Sequence, residues 1–275
     1  MFFDNNMYIK NVSLEVKDIN NMLWFYTEVI GLDLIKEEGT RYYLGVDGNA
    51  FITLISNPEA TIARRKTGLY HLAILLPDKR YLGQVIKHIA LDKQYRLTGV
   101  SDHLVSNAMY LNDPEGNGIE IYADFDSSTW KWNDGSVEMA TLAVDIPKLL
   151  KEGFQDEFKG MPSGTVLGHV HFTVNDMTIA RNYFENTLGF DFLLDYFKQA
   201  MFLSTNKYHH HIGANMWLGA NITNRESNET GLAEYTLNIN DRDTFKKHLE
   251  TKGVLVNSEN DHYTFYDMNN TKVLF

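Results

Sequence analysis

The sequence predicts an α+β protein built from four β-α-β-β-β modules, and an internal repeat is the main observation behind this prediction. The segment from Asn11 to Asp33 aligns without a gap with the segment from His169 to Asp191. A second, weaker repeat relates the segment from Gly68 to Asp78 to the segment from Gly231 to Asp241. Because self-similarity of this kind marks repeated structural units, the whole chain is predicted to be modular.

The first and third modules each begin with a strand, a helix and a turn. Alternating Val and Leu residues from Asn11 to Val16 predict a half-buried strand. Asp residues predict where the two helices begin, and Gly residues in the left-handed conformation predict where they end. These capping residues are Asp18 and Gly31 in the first copy, and Asp176 and Gly189 in the second. Further short strands are predicted at 41–46 and 50–55.

Each module pair closes on a turn followed by a strand. The second module ends with the turn that starts at Asp113 and runs into Ile119-Glu120-Ile121, and the fourth ends more loosely from Asp267 to Phe275. The modules are predicted at 7–56, 68–124, 165–219 and 229–275. The domains are accordingly a first module pair at 1–125, a connecting segment at 126–164 and a second module pair at 165–275. Behind Asp145 the connecting segment predicts a bridging helix from Ile146 to Phe158.

The composition points to small-molecule chemistry. Hydrophobic residues make up 44% and charged residues 22% of the 275 residues, which is typical of a globular protein. The formal charge of −11 argues against a nucleic-acid or anionic-membrane partner, since both require a concentrated basic face. The chain has no cysteine, which excludes disulfides and thiolate chemistry. The ten histidines and the carboxylates are therefore the candidate metal ligands.

The location expected from the sequence is the cytoplasm. Met1 to Lys10 lack the basic and apolar regions of a signal peptide. No uninterrupted apolar run approaches the ~18–20 residues that a membrane span needs.

The modular pattern resembles the vicinal oxygen chelate superfamily of glyoxalases, bleomycin resistance proteins and extradiol dioxygenases. The stretches GLYHLAILLPD, SDHLVSNAMYLNDPEGNGIEIYAD and KYHHHIGANMW look closest to the bacterial catechol-2,3-dioxygenase branch. The resemblance covers nearly the whole chain, and it implies that the four βαβββ modules form two vicinal-oxygen-chelate barrels.

The same resemblance implies a metal site with two His and one carboxylate, a facial arrangement that leaves open positions for substrate and dioxygen. The ligand position on the first strand of a module is His71 in module two and His169 in module three, and the carboxylate position on the last strand is Glu120. His171 lies two residues beyond His169, on the same face of an ideal strand, and competes with it as a ligand.

Further residues match the dioxygenase active site. Tyr110 stands ten residues before Glu120, where the family tyrosine hydrogen-bonds a substrate hydroxyl. The run of three His from position 209 resembles the family's acid–base segment, which implies His211 as the catalytic acid–base with His210 as its neighbour. A solvated strand end is the alternative interpretation of this run. His103 is a candidate donor on the substrate side.

The ligand positions depart from the four-module dioxygenases, in which modules three and four hold the metal. Module four has Glu234 and Leu274 at its ligand positions, and module one has Asn11, a weak ligand for Fe(II). The hypothesis is therefore that modules two and three face each other and share the metal, while modules one and four form the partner barrel. A site with only His71 and Glu120, or an exchange of modules between chains, remains open.

The predicted function is that of an Fe(II)-dependent extradiol dioxygenase, with Mn(II) as the other candidate metal. Its partners would be a small aromatic diol and O2, and a homo-oligomer stays open. One alternative is a glyoxalase-like lyase or isomerase that uses Ni(II), Zn(II) or Co(II). The other is a non-catalytic protein of the same fold that binds an aromatic compound or antibiotic, since one fold supports several functions.

Overall fold

The computed structural model describes residues 6–275 of the chain. Residues 1–5, which belong to the Met1 to Lys10 segment considered above, lie outside the described residues. No helix in the described part is long and apolar enough to cross a bilayer.

The described residues form short strands with few helices, as predicted for an α+β protein. In chain order the strands are β1 Tyr8–Val16, β2 Asp33–Glu38, β3 Arg41–Val46, β4 Asn49–Ser56, β5 Gly68–Leu75, β6 Gly99–Asp102, β7 Ser106–Asn112, β8 Gly118–Asp124, β9 Trp132–Asn133, β10 Ser136–Val137, β11 Leu142–Ala143, β12 Val166–Thr173, β13 Asp191–Tyr196, β14 Ala200–Ser204, β15 Ile212–Asn215, β16 Gly231–Asn238, β17 Asn257–Glu259, β18 His262–Tyr266 and β19 Lys272–Leu274. The helices are α1 Ile19–Trp24, α2 Lys79–Ile86, α3 Ile146–Glu152, α4 Met177–Arg181 and α5 Arg242–Thr251.

The chain divides into two compact units. The first unit comprises the described residues up to Glu15, Ala60–Tyr70 and His169–Phe275, and the second comprises Val16–Glu59 and His71–Gly168. The predicted division into module pairs before and after residues 126–164 stays a prediction.

In the first unit, the opening strands of modules one and four are neighbours. Strands β1 and β16 are antiparallel, and Ser13 lies opposite Glu234. β16 continues in parallel to β19, which pairs with β18 and then β17. A second group of strands in this unit begins with β12, which runs parallel to β15 and is followed by β14 and β13. The pairing of β1 with β16 agrees with the hypothesis that modules one and four belong together.

In the second unit, β8 of module two lies between two other strands of the same module. β5 runs parallel to β8, and β7 pairs with β8 on its other side. β6 extends this group to β11. The last three strands of module one, β2 to β4, form an antiparallel meander.

The predicted capping residues are confirmed in both copies of the repeat. A side-chain oxygen of Asp18 accepts a hydrogen bond from the Asn21 backbone N–H at 3.1 Å, and Asp176 accepts from the N–H groups of Thr178 and Ile179. Gly31 and Gly189 have φ values of 92° and 94°, where a side chain would be strained. Both helices widen into π-type turns before these glycines, at Phe25–Ile30 and Asn182–Leu188.

The bridging helix is shorter than predicted, since α3 ends at Glu152 rather than near Phe158. Gly153 adopts an extended conformation and lies against α2, where a Cβ atom would stand 2.9 Å from the Gly83 Cα. The Phe154 ring then packs at a tilt against that of Tyr81, with ring centroids 4.6 Å apart. The prediction of a helix to Phe158 is therefore wrong, because close packing against α2 redirects the chain at Gly153.

Candidate metal and substrate site

His71 and Glu120 form a buried pair in the second unit. The parallel register places His71 opposite Gly118 and Ala73 opposite Glu120. The His71 Nε2 and Glu120 Oε2 atoms are 3.0 Å apart, and the two side chains are 8% and 5% exposed. Burial of a carboxylate is costly unless a cation or hydrogen-bond donors compensate its charge. The buried Glu120 carboxylate therefore requires a compensating positive charge or hydrogen-bond donor nearby.

A hydrogen-bonded turn at Asp113 precedes β8, the strand that carries Glu120. The buried Asp113 carboxylate accepts hydrogen bonds from the backbone N–H groups of Glu115 and Asn117, and from the Asn117 side-chain amide. The Tyr26 hydroxyl donates to the same carboxylate at 3.1 Å. Burial raises the pKa of Asp113 to about 6, although these hydrogen bonds oppose the increase.

Tyr110 lies directly opposite Glu120 on the neighbouring strand β7. Its ring centroid is 5.8 Å from that of His71. The predicted tyrosine therefore lies beside the His71–Glu120 pair, within the same unit.

His103 is hydrogen-bonded to Tyr110 and orients its hydroxyl. The His103 Nε2 atom is 2.6 Å from the Tyr110 hydroxyl, and its Nδ1 atom is 2.7 Å from the Ala140 carbonyl oxygen. A carbonyl oxygen can only accept, so Nδ1 carries the proton of the neutral ring and Nε2 accepts from the tyrosine. The three groups form a directed chain in which the tyrosine donates its proton toward His103.

His169 is buried in the first unit, beside the run of three His. Its ring centroid lies 4.0 Å from that of His210 and 6.2 Å from that of His209. His209 and His210 are themselves buried, and their Nδ1 atoms are 2.7 Å apart. The interpretation of the run as a solvated strand end is therefore wrong for these two residues.

His211 has a fixed ring orientation. Its Nδ1 atom is 2.8 Å from the Ser204 hydroxyl oxygen and accepts a hydrogen bond from the Thr205 backbone N–H at 3.3 Å. Because Nδ1 accepts, the proton of the neutral ring is on Nε2. Burial is the main cause that lowers the pKa of His211 to about 3, and the neighbouring His209 and His169 lower it further. Two predicted acid–base candidates thus have different surroundings, since His210 packs on His169 and His211 on Ser204.

His171, the competing ligand, packs against aromatic rings. Its ring centroid lies 5.2 Å from Tyr70, 5.7 Å from Phe202 and 5.6 Å from Trp217. A Cβ atom at position 213 would stand 2.6 Å from His171 Nδ1, so Gly213 makes room for this ring.

Several residues that orient the candidate groups were not predicted. Ser204 and Thr205 hold the His211 ring, and the Ala140 carbonyl fixes the His103 tautomer. A backbone carbonyl leaves no trace in the sequence, because every residue has one. The turn at Asp113, by contrast, was predicted from the order Asp-Pro-Glu-Gly-Asn, since Asp and Gly favour such turns.

Comparison with known proteins places the chain in a family. Residues 8–121 match the model of the Glyoxalase/Bleomycin resistance protein/Dioxygenase superfamily. A Bacillus subtilis protein named catechol-2,3-dioxygenase is 40% identical over 240 residues, which cover 84% of this chain and 82% of that protein. The chain belongs to this superfamily.

Solved structures show the fold of the superfamily in proteins of much lower sequence identity. A putative dioxygenase from Bacillus subtilis is 14% identical with a TM-score of 0.65, over 97% of this chain and 84% of that one. Glyoxalase I from Zea mays is 15% identical with a TM-score of 0.61, over 98% of this chain and 92% of that one. The predicted fold class is confirmed, with four βαβββ modules in the vicinal-oxygen-chelate arrangement.

Proposed function

We propose that the protein is an Fe(II)-dependent extradiol dioxygenase, which opens the ring of a catechol-type diol with O2 in the cytoplasm. The observation that carries this proposal is the buried pair of His71 and Glu120, with Tyr110 opposite Glu120. The 40% identical relative named catechol-2,3-dioxygenase supports it.

The proposed metal ligands are His71, Glu120 and His169. Each of these three side chains is buried and offers one ligand atom to an ion. Two imidazoles and one carboxylate suit Fe(II), and Mn(II) accepts the same donors. The His71 Nε2 and Glu120 Oε2 atoms are 3.0 Å apart and buried, so these two donors would approach the same ion.

Bound iron would bring the diol and O2 together and transfer electron density between them. The protein's own groups would bind and orient the substrate. In the proposed arrangement Tyr110 donates its proton to His103, and its hydroxyl oxygen accepts a hydrogen bond from a diol hydroxyl. His103 is then a positioning residue and acts through Tyr110.

The acid–base role is proposed for His211, with His210 as its neighbour. The contacts of His211 with Ser204 and Thr205 place the proton of its neutral ring on Nε2, which can donate a hydrogen bond to a bound oxygen. His210 is the second candidate, because its ring packs on that of His169. Separate His210→Gln and His211→Gln variants distinguish the two, since loss of the acid–base group lowers kcat by ~100-fold or more.

Anaerobic reconstitution with Fe(II), followed by catechol and air, tests the proposal. We expect the wild type to form the yellow ring-fission product and both His71→Ala and His169→Ala to lose it. His262→Ala is the control, because His262 is exposed on β18. A wild-type protein that binds iron and yields no ring-fission product from catechol or its ring-substituted forms would contradict the proposal. Isomerisation of a glutathione hemithioacetal by the Ni(II) or Zn(II) form would favour the lyase alternative.

A further inference from the structure

An aromatic cluster in the first unit consists of Tyr70, His171, Phe202 and Trp217. The Tyr70 and Trp217 ring centroids are 5.0 Å apart, and their planes are nearly perpendicular. Both rings also contact His171. Aromatic rings at such distances and angles attract each other beyond the gain from buried area. The rings of this cluster therefore stabilise each other's positions.

The cluster is continuous with the candidate metal ligand of the same unit. His171 lies two residues after His169 on β12, and alternate residues of a strand share one face. A second route leads through Phe202, whose ring centroid is 5.7 Å from that of His171 and 5.0 Å from that of His210. His210 in turn packs on His169 at 4.0 Å. An unbroken wall of rings therefore runs from His169 to Trp217.

The far end of this wall is exposed. Trp217 is 47% and Tyr70 is 39% exposed, whereas His171 is 3% exposed. Large rings that remain half-exposed beside a buried ring offer an apolar surface that a ligand can cover.

Two local features hold the wall in place. Gly213 on β15 lies between His171 on β12 and Phe202 on β14, and it is the register partner of both. Because it has no side chain, it leaves space between the two rings. The Trp217 backbone N–H donates to the Asn215 side-chain oxygen at 3.1 Å, which fixes the turn that carries the indole. The chain before Tyr70 is fixed as well, since the Arg65 guanidinium donates to the Leu218 carbonyl at 2.8 Å.

We propose that Tyr70, His171, Phe202 and Trp217 form a subsite for an aryl substituent on the ring of the diol. The assignment rests on the proposed function, because it places the diol beside His169. A flat aromatic group matches the edge-to-face geometry that these rings already adopt among themselves. The enzyme would then prefer an aryl-substituted diol to catechol itself.

The test compares catechol with 2,3-dihydroxybiphenyl as substrates of the Fe(II)-loaded enzyme. We expect Trp217→Leu to lower kcat/KM for the biphenyl diol by about tenfold and to change that for catechol by less than about twofold. Gly213→Ala, whose Cβ would displace the His171 ring, should show the same selective loss. Trp24→Leu is the control, because Trp24 is equally exposed at 47% and lies in the other unit. Equal losses for both substrates, or no loss, would overturn the subsite.

A binding measurement separates this inference from the proposed function. Calorimetric titration of the anaerobic protein with 2,3-dihydroxybiphenyl requires no turnover. If the wild type cleaves neither diol, the proposed function fails, while about tenfold weaker binding by Trp217→Leu than by Trp24→Leu still supports the aryl subsite. Equal affinity in these two variants, or no binding by the wild type, would contradict it. Thermal unfolding of each variant shows whether a loss reflects the ligand contact or the fold.

Discussion

At the scale of single residues, the site depends on hydrogen bonds that set which atoms carry protons. The Ala140 carbonyl fixes the proton of neutral His103 on Nδ1, and Nε2 is left to accept from Tyr110. In the proposed reaction, a tyrosine fixed in this way would be preorganised to accept from a diol hydroxyl, which would reduce the cost of ordering it.

The Tyr110→Phe variant tests this arrangement. Because the variant keeps the ring and removes the hydroxyl, we expect kcat for the diol to fall by about 10- to 100-fold with little change in iron content. Steady-state rates and metal analysis of the same preparations check this expectation. Tyr95→Phe is the matched control, since the Tyr95 hydroxyl donates at 3.1 Å to the Asn112 carbonyl in the same unit. Equal rates for Tyr110→Phe and the control would show that the hydroxyl has no part in the reaction.

The sequence predicts the strand positions of His71, Glu120 and Tyr110, because the internal repeat aligns the modules and the family resemblance implies which aligned positions are functional. It could not predict that Ala140 orients His103, since a backbone carbonyl 37 residues away has no sequence signal. Nor could it predict that His210 packs on His169 while His211 contacts Ser204, because three consecutive His leave the register of each ring open.

At the scale of elements, the contact between α2 and α3 explains where the sequence prediction failed. The helical pattern continues to Phe158, but α3 ends at Glu152 because Gly153 must approach Gly83 closely. Periodicity describes one element at a time, and it carries no information on a neighbouring helix at this distance. The caps at Asp18 and Gly31 were predictable because they are local.

The Gly83→Ala variant measures the importance of this close packing. A Cβ atom at Gly83 would stand 2.4 Å from the Leu149 carbonyl oxygen, so α2 or α3 must shift. We expect the free energy of unfolding to fall by about 1–3 kcal/mol. In an exposed helix the same change would raise stability by about 1 kcal/mol, so the sign is informative. Urea denaturation provides the measurement.

Gly99→Ala is the control for this experiment, because the nearest atom to its Cβ would be 3.8 Å away. A Gly83→Ala protein more stable than the wild type would contradict the close contact.

At the scale of the whole molecule, the internal repeat extends to the buried turns that precede β8 and β19. Asp113 accepts from the backbone N–H groups of Glu115 and Asn117, and Asp267 accepts from those of Asn269 and Thr271. Burial raises the pKa of each carboxyl group to about 6. Each compact unit therefore contains one Asp whose ionised form is destabilised by burial.

The raised pKa values of Asp113 and Asp267 predict how the free energy of unfolding depends on pH. The ordinary pKa of an Asp carboxyl is 3.8, so between about pH 4 and 6 the unfolded chain loses a proton that the folded chain still holds. The stabilisation from each Asp is therefore complete below pH 4 and is lost as the pH rises to 6. At 1.36 kcal/mol per pKa unit, the change is about 3 kcal/mol at most for each group.

The Asp113→Asn variant isolates this effect, because Asn resembles the protonated form. We expect its free energy of unfolding, relative to the wild type, to increase by about 2–3 kcal/mol between pH 4.5 and 7. Urea denaturation at the two pH values checks the expectation. Asp126→Asn is the control: hydrogen bonds from Ser128 lower the pKa of this exposed group, which gives the opposite sign. A relative stability of Asp113→Asn that does not change with pH would contradict a raised pKa.

The proposal that His71, Glu120 and His169 bind one metal ion makes a direct prediction for the metal content of the protein. After anaerobic loading with Fe(II) and gel filtration, elemental analysis should find about one iron per wild-type chain and per His262→Ala chain. His71→Ala, Glu120→Ala and His169→Ala should each retain less than about a tenth of that amount, and Co(II) absorption spectra of the same variants should show the same loss. Full iron content and an unchanged Co(II) spectrum in His169→Ala would contradict a shared site and leave His71 and Glu120 as its only ligands among the three.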